Sequence, residues 1–305
     1  MPGSNKLIPI LRMARLHFLF GGFILFLLGC LLAFSAGSDF SLAKFLLGYT
    51  ILFTAQLSVS YSNDYYDYNT DKNEKRTLFS GGSGVLIENP ELRPFARFFA
   101  IFLIGLSLWL ALVFLVIFSF PLTFLAFVVM GNLIGWFYSA PPAKFVYRGG
   151  GELATMITAG FMLPGMGFFV LRGTFDYTFF LFLVPLMLYG LAFIVNVEIP
   201  DMESDRLGNK HNIIVKKGRK FGFYISALVI SLATIYFLTI SAINPEIGVD
   251  FRIITFFSLI PLAIGLFALY RHPEERKKAT KHVTATITSF ILFVLMIDCY
   301  LLIAV

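Results

Sequence analysis

Residues 98–118 read FFAIFLIGLSLWLALVFLVIF, a run of about 21 residues without one charge, long enough at about 1.5 Å rise per residue to cross a hydrocarbon layer of roughly 30 Å as a helix. Working outward from it, comparable apolar stretches predict spans at about 16–36, 42–62, 95–118, 120–138, 153–171, 177–198, 221–242, 253–270 and 283–304. The 305-residue chain is 58% hydrophobic and 14% charged, with a mean hydropathy of +0.81. A soluble domain carries about 25% charged residues, so a water-facing surface is not supplied here. The expected fold class is an all-α integral membrane protein of about nine transmembrane helices, forming one domain over residues 1–305 with no linker or low-complexity break.

The connections sort the charge. Of 24 Lys and Arg residues, 21 fall in the N-terminal tail (Lys6, Arg12, Arg15) or in the connections after the second, fourth, sixth and eighth spans. Only Lys44, Arg172 and Arg252 fall on the other side. The positive-inside rule then predicts a cytoplasmic tail and cytoplasmic long loops, and an odd number of spans puts the C-terminus outside. The net charge of +6 and pI near 9.2 therefore express orientation and contact with anionic membrane lipid rather than nucleic-acid binding. The first apolar span follows a basic start but is long and lacks a small-residue cleavage site, so it reads as a retained helix. Cys30 and Cys299 lie within spans, form no CxxC pattern and read as packing residues. Asp298, in the last span, is expected to reach the outer interface.

Two acidic clusters carry the chemistry. The second span ends in Asn63-Asp64-Tyr65-Tyr66-Asp67-Tyr68-Asn69-Thr70-Asp71, and the sixth in Glu198-Ile199-Pro200-Asp201-Met202-Glu203-Ser204-Asp205. Asp64, Asp67 and Asp71 repeat the spacing of Glu198, Asp201 and Asp205, each at an offset of 134 residues, which suggests two quasi-repeated halves. On a helix this spacing forms a ridge along one face. Adjacent carboxylates repel unless a cation lies between them, and an all-oxygen set suits a hard ion such as Mg²⁺. Magnesium takes one or two carboxylates and fills its shell with water and phosphate oxygens, so two facing ridges suggest a diphosphate bridged by metal. Pro200 is a candidate break in the second ridge. Basic partners on the same side are Arg76, Lys144 within Tyr138-Ser139-Ala140-Pro141-Pro142-Ala143-Lys144, Arg206 and Lys210. Each would offset charge on a departing diphosphate.

These residues resemble the UbiA superfamily of intramembrane prenyltransferases. Asn63-Asp64-x-x-Asp67-x-x-x-Asp71 looks like its first aspartate motif, Asp201-x-x-x-Asp205 like its second, and Tyr138 through Lys144 like the Tyr/Lys segment between them. The resemblance covers nearly the whole chain. It implies a bundle around a central cavity, with two Mg²⁺ ions held by Asp64, Asp67, Asp71, Glu198, Asp201 and Asp205. The diphosphate would be bound with help from Asn63, Arg76, Ser139, Lys144, Asn196, Arg206 and Lys210. Catalysis would centre on Asp67, Asp201, Lys144 and Tyr138, with the isoprenoid tail in an apolar chamber open to lipid. Ring faces among the 37 Phe and 13 Tyr would steady a developing allylic cation.

Many members acting on hydroxybenzoate, haem or glycerol lipids carry an Arg-Pro-rich segment after the first motif. Here the run is Lys75-Arg76-Thr77-Leu78-Phe79-Ser80-Gly81-Gly82-Ser83-Gly84-Val85-Leu86, which looks closer to the menaquinone branch, whose acceptor is dihydroxynaphthoate. The expected activity is transfer of a polyprenyl group from its diphosphate to an aromatic quinone precursor. Transfer to a glycerol-phosphate ether lipid and, from another class, a cation-coupled transporter are the alternatives. A transporter would place its ionisable groups near the bilayer midplane rather than at helix ends. No HExxH or GxSxG hydrolase signature is present, and His17, His211, His272 and His282 read as interfacial.

Overall fold

A computed structural model describes residues 7–72, 82–243 and 248–304, which are helical with no strand. Among the described residues nine helices are long and apolar enough to cross a membrane: α1 (Leu16–Ser35), α2 (Leu42–Tyr66), α3 (Pro90–Phe118), α4 (Leu122–Ser139), α5 (Gly151–Arg172), α6 (Tyr177–Leu207), α7 (Arg219–Ile243), α8 (Phe251–Arg271) and α9 (Arg276–Ala304). Their starts follow from local chemistry. Asp176 accepts from the amides of Thr178 and Phe179 at 3.0 and 3.4 Å to cap α6, and Asp250 caps α8 through Arg252 N at 2.9 Å. The short helices, such as Leu7–Met13, Phe145–Arg148 and Ile213–Lys217, fall in the tail and in the connections after α2, α4 and α6. The connections after α1, α3 and α5 are turns, as the charge pattern requires.

Helices α1 and α5 cross at backbone contact. A Cβ on Gly29 would sit 1.8 Å from the Pro164 carbonyl oxygen, and one on Gly167 would sit 1.9 Å from that of Phe26. Small residues at both positions let dispersion contacts form where lipid offers no hydrophobic drive. Several phenylalanines gather in a packed block away from the chamber. Phe114, Phe120, Phe124, Phe127, Phe169 and Phe175 stack between α3, α4 and α5, with centroids 4.7 Å apart for Phe114 and Phe124 and 5.7 Å for Phe127 and Phe169.

Pro200 does not break α6. The helix runs through both Pro185 and Pro200 to Leu207, nine residues past the span expected to end at 198. Proline removes one ladder bond, and neighbouring donors hold the turn in compensation. Arg219 Nε donates to the Ile199 carbonyl at 2.9 Å and Arg276 Nε to the Pro200 carbonyl at 2.7 Å. Arg219 also grips the Glu203 carboxylate, so the turn carrying the second acidic cluster is fastened to the starts of α7 and α9. In the first cluster the opposite occurs. Helix α2 closes at Tyr66, Asp67 lies between it and the short turn Tyr68–Asp71, and the Asp71 amide still donates to the Asp67 carbonyl at 2.9 Å. The expected continuous ridge is therefore two pieces joined at Asp67, whose amide donates to the Asn63 carbonyl and whose carbonyl accepts from the Thr70 and Asp71 amides. Asp298 does not reach an interface: it is 2% exposed within α9.

Candidate functional site

The ends of α2 and α6 meet at one cavity of about 420 Å³. Asn63, Asp67, Asp71, Glu198, Asp201, Asp205, Lys210 and Tyr138 line it at one end. Leu25, Leu163, Leu186, Tyr189, Phe290, Phe293 and Val294 line it further along. Leu186 precedes Asp201 by 15 residues on the unbroken α6, which at 1.5 Å per residue makes the cavity roughly 20 Å deep along that helix. One space thus joins a carboxylate-rich end to an apolar, partly aromatic end.

Each acid is held separately. Asp67 accepts from Ser139 Oγ at 2.9 Å and from the Tyr147 hydroxyl at 2.7 Å. Asp205 accepts from Asn212 Nδ2 at 2.7 Å and faces Lys210 Nζ at 2.9 Å. Lys210 comes back to the acids because Gly208 closes α6 and Asn209 takes the left-handed region at φ 55°. Asp201 lies 3.7 Å from an Arg276 Nη2 nitrogen. Asp71 is 6% exposed, and Gly82 closes over it: at φ 62°, a Cβ there would fall 2.2 Å from Asp71 Oδ2. Asp64 is turned away from the cavity lining. It is ion-paired with Arg15 and bonded to the Ser83 hydroxyl and, at 3.2 Å, the Ser83 amide.

Other expected residues are brought in unequally. Lys144 takes a left-handed backbone at φ 47°, its Nζ sits 5.5 Å from the Tyr147 ring centroid, and it does not line the cavity. Arg206 is exposed and donates to the Val215 carbonyl at 3.3 Å. Asn196 is fully buried and turned to α7, donating to Ser226 Oγ at 2.6 Å. Arg76 lies outside the described residues. His17, read as interfacial, lines the cavity.

Two residues were missed. In the sequence Arg15 is one more tail charge, and nothing in local spacing links it to Asp64, 49 positions on. Tyr147 follows Lys144 by three, and the left-handed turn at Lys144 presents the tyrosine, not the lysine, to Asp67. Burial, then the adjoining Asp67 carboxylate and the hydrogen bond to it, push the Tyr147 phenol well above its usual value, so it stays a donor. Tyr147→Phe is expected to lower transfer about 10-fold with little loss of folded protein, since second-sphere partners of metal-binding groups contribute about 10–100-fold; activity at several Mg²⁺ concentrations with a melting curve checks it.

The donor set fits a hard divalent cation. The Asn63 Oδ1 and Glu198 Oε2 atoms are buried and accept no hydrogen bond. Among the described residues no three Asp, Glu, His or Cys side chains form a ready-made cage, which suits an ion whose shell is completed by water and phosphate.

Carboxylates, a lysine and a long apolar chamber in one intramembrane cavity define a site for an amphiphile with an anionic head. The chain belongs to the UbiA prenyltransferase family, whose model matches residues 23–294, and it is a membrane prenyltransferase. Among curated proteins it is similar to the 1,4-dihydroxy-2-naphthoate octaprenyltransferase of Bacillus subtilis, 25% identical over 241 residues, covering 74% of this chain and 71% of that one. Two solved structures share its fold. A UbiA homolog from Archaeoglobus fulgidus bound to GPP and Mg²⁺ has a TM-score of 0.66 at 17% identity, covering 95% of this chain and 98% of that one. A digeranylgeranylglyceryl phosphate synthase has a TM-score of 0.65 at 18% identity, covering 97% and 98%.

Proposed function

We propose that this protein transfers a polyprenyl group from an allylic prenyl diphosphate to an aromatic quinone precursor, with Mg²⁺ at the two acidic clusters. The observation that carries the reading is the single cavity running from Asp67, Asp71, Glu198, Asp201 and Asp205 to Tyr189, Phe290 and Phe293. Bound Mg²⁺ supplies Lewis-acid stabilisation of the charge that grows on the diphosphate as the C–O bond lengthens.

The chain's own residues do the rest. Ser139 and Tyr147 orient Asp67, Asn212 and Lys210 orient Asp205, and Arg276 flanks Asp201, so the carboxylates are fixed before substrate arrives. Lys210 offers a proton-rich ammonium at the diphosphate end. Tyr138, Phe193, Tyr189 and Phe290 line the cavity, where aromatic rings would steady a developing allylic cation. The basic residues of the tail and long loops support a cytoplasmic position for both clusters and the N-terminus, with the C-terminus outside.

The Bacillus relative, named for a dihydroxynaphthoate acceptor, supports an aromatic acceptor over a glycerol-phosphate lipid. Purified protein in detergent, given geranylgeranyl diphosphate with dihydroxynaphthoate, hydroxybenzoate or a prenylglyceryl phosphate, tests the choice. Product from dihydroxynaphthoate is expected; product only from the glycerol lipid would overturn the aromatic reading.

A further inference from the structure

Any acceptor of the kinds considered above carries an anion, a carboxylate on the aromatic ring or a phosphate on the glycerol. Among the described residues the Lys and Arg side chains lining the cavity are Lys210 and Arg15, each beside a different acidic cluster. Lys210 belongs to the second acidic cluster, 2.9 Å from Asp205. Arg15 stands where α1 begins, beside the first cluster.

Four features single out Arg15. Its backbone is left-handed, φ 48° and ψ 59°, at the N-cap of α1, with no side-chain capping bond to explain the conformation. A non-glycine residue held there is strained, and such strain gathers at functional positions. Its guanidinium is ion-paired with Asp64, which does not line the cavity and whose oxygens are also engaged by Ser83. Asp64 therefore serves as a counter-ion behind the arginine, much as an outer carboxylate aims a functional group. Arg15 Nε is buried and donates to nothing, although a guanidinium has five donors in a fixed fork. Finally, α1 leaves space past Arg15 at Gly21, while at Gly22 the Gln56 side chain packs against the helix. Gly21 and Gly22 line the cavity, and a Cβ on Gly21 would meet nothing within 4 Å, leaving room for a flat ring beside the guanidinium.

We infer that Arg15, aimed by Asp64, is the acceptor-recognition residue and binds the acceptor's anionic group, while the acidic clusters and Lys210 take the prenyl diphosphate. This rests on the prenyl-transfer reading above. A guanidinium matches a carboxylate or a phosphate bidentately, which a lysine cannot reproduce. The acceptor is then held against α1, with its ring toward the cavity that the prenyl chain enters.

The test compares 1,4-dihydroxy-2-naphthoate with 1,4-dihydroxynaphthalene, the same ring without its carboxylate, and a prenylglyceryl phosphate, in wild-type protein and in Arg15→Gln and Arg15→Lys. Transfer kinetics are read together with equilibrium binding of labelled acceptor and with melting temperature. In the wild type, the carboxylated ring is expected to bind at least about 10-fold more tightly than the bare ring, and R15Q to erase that difference, as expected for loss of a charge-assisted bidentate pair. R15K recovers part of it, and KM for the prenyl diphosphate stays within about twofold, because the inference gives the diphosphate to the acidic clusters and Lys210 and leaves Arg15, held by Asp64, to the acceptor. If the glycerol phosphate takes the place of the naphthoate in this pattern, Arg15 keeps its role and the acceptor class changes. Equal binding of the two rings by wild-type protein would overturn the inference without any variant. A rise in KM for the prenyl diphosphate in R15Q would also overturn it, by making Arg15 a diphosphate ligand. Absence of product from every acceptor is a different failure, that of the prenyl-transfer reading, and the binding comparison still decides the arginine.

Discussion

Asp67→Ala is expected to lower kcat/KM for prenyl transfer by at least about 10³-fold while leaving insertion and folding intact, because Lewis-acid stabilisation at a metal site is worth several kcal/mol and each 1.4 kcal/mol is a factor of ten. Asp67 is held from two sides: 9% exposed, it takes a hydrogen bond on each carboxylate oxygen, from Ser139 and Tyr147, at the junction between α2 and the Tyr68–Asp71 turn. Ser139 and Tyr147 can each find water once the carboxylate is gone, because the cavity reaches them through Asp67 and Tyr138. The melting temperature should therefore move little. Transfer assays over a range of Mg²⁺ concentrations, beside a melting curve, check both halves of the statement. A variant that folds and retains full activity would remove Asp67 from the metal site.

Asp201→Ala is expected to cost about 10²–10³-fold in transfer, the range seen when one preorganised group that stabilises developing charge is removed. Asp201 lines the cavity from α6, and an Arg276 Nη2 nitrogen lies 3.7 Å from it. Its loss deprives the second cluster of a proposed metal ligand at the diphosphate end. The Pro200 carbonyl still anchors Arg276 through Nε at 2.7 Å, so the turn itself should persist. Arg206→Ala serves as the internal comparison. Its side chain is exposed and bonded to the Val215 carbonyl, and a change within about twofold is expected, as for surface substitutions worth no more than about 0.5 kcal/mol. Equal losses from R206A and D201A would mean that the activity follows general charge at this end of the bundle and not the carboxylate.

Much of this architecture is legible in the sequence because a bilayer permits few solutions. Length and apolarity set the nine long helices, and the spacing of the two acidic clusters identified the helix ends that meet at the cavity. What the sequence hides is contact at long range and local backbone handedness. Pro200 is a reasonable stop signal, yet Arg219 and Arg276 come from helices that begin 19 and 76 residues later and hold the turn together. Lys144 is the conspicuous cation of its segment, but its left-handed turn rotates Tyr147 into the hydrogen bond with Asp67. Arg15 looks like one more charge marking the membrane surface until its partner, Asp64, is seen across the fold. The phenylalanines are the reverse case: their number suggests a cation-steadying chamber, whereas many fill the block between α3, α4 and α5 and only a few reach the cavity.

In the proposed reaction the carboxylate end of the cavity works through a metal-bound diphosphate while the apolar end holds the prenyl chain. Its most direct test is transfer of radiolabelled geranylgeranyl diphosphate to dihydroxynaphthoate by purified protein, with Mg²⁺ and then with EDTA. Prenylated product and released diphosphate with Mg²⁺, neither with EDTA, and recovery when Mg²⁺ is restored are the predicted result. Product formed equally well in EDTA, or no transfer and no magnesium-dependent binding of the diphosphate, would contradict it.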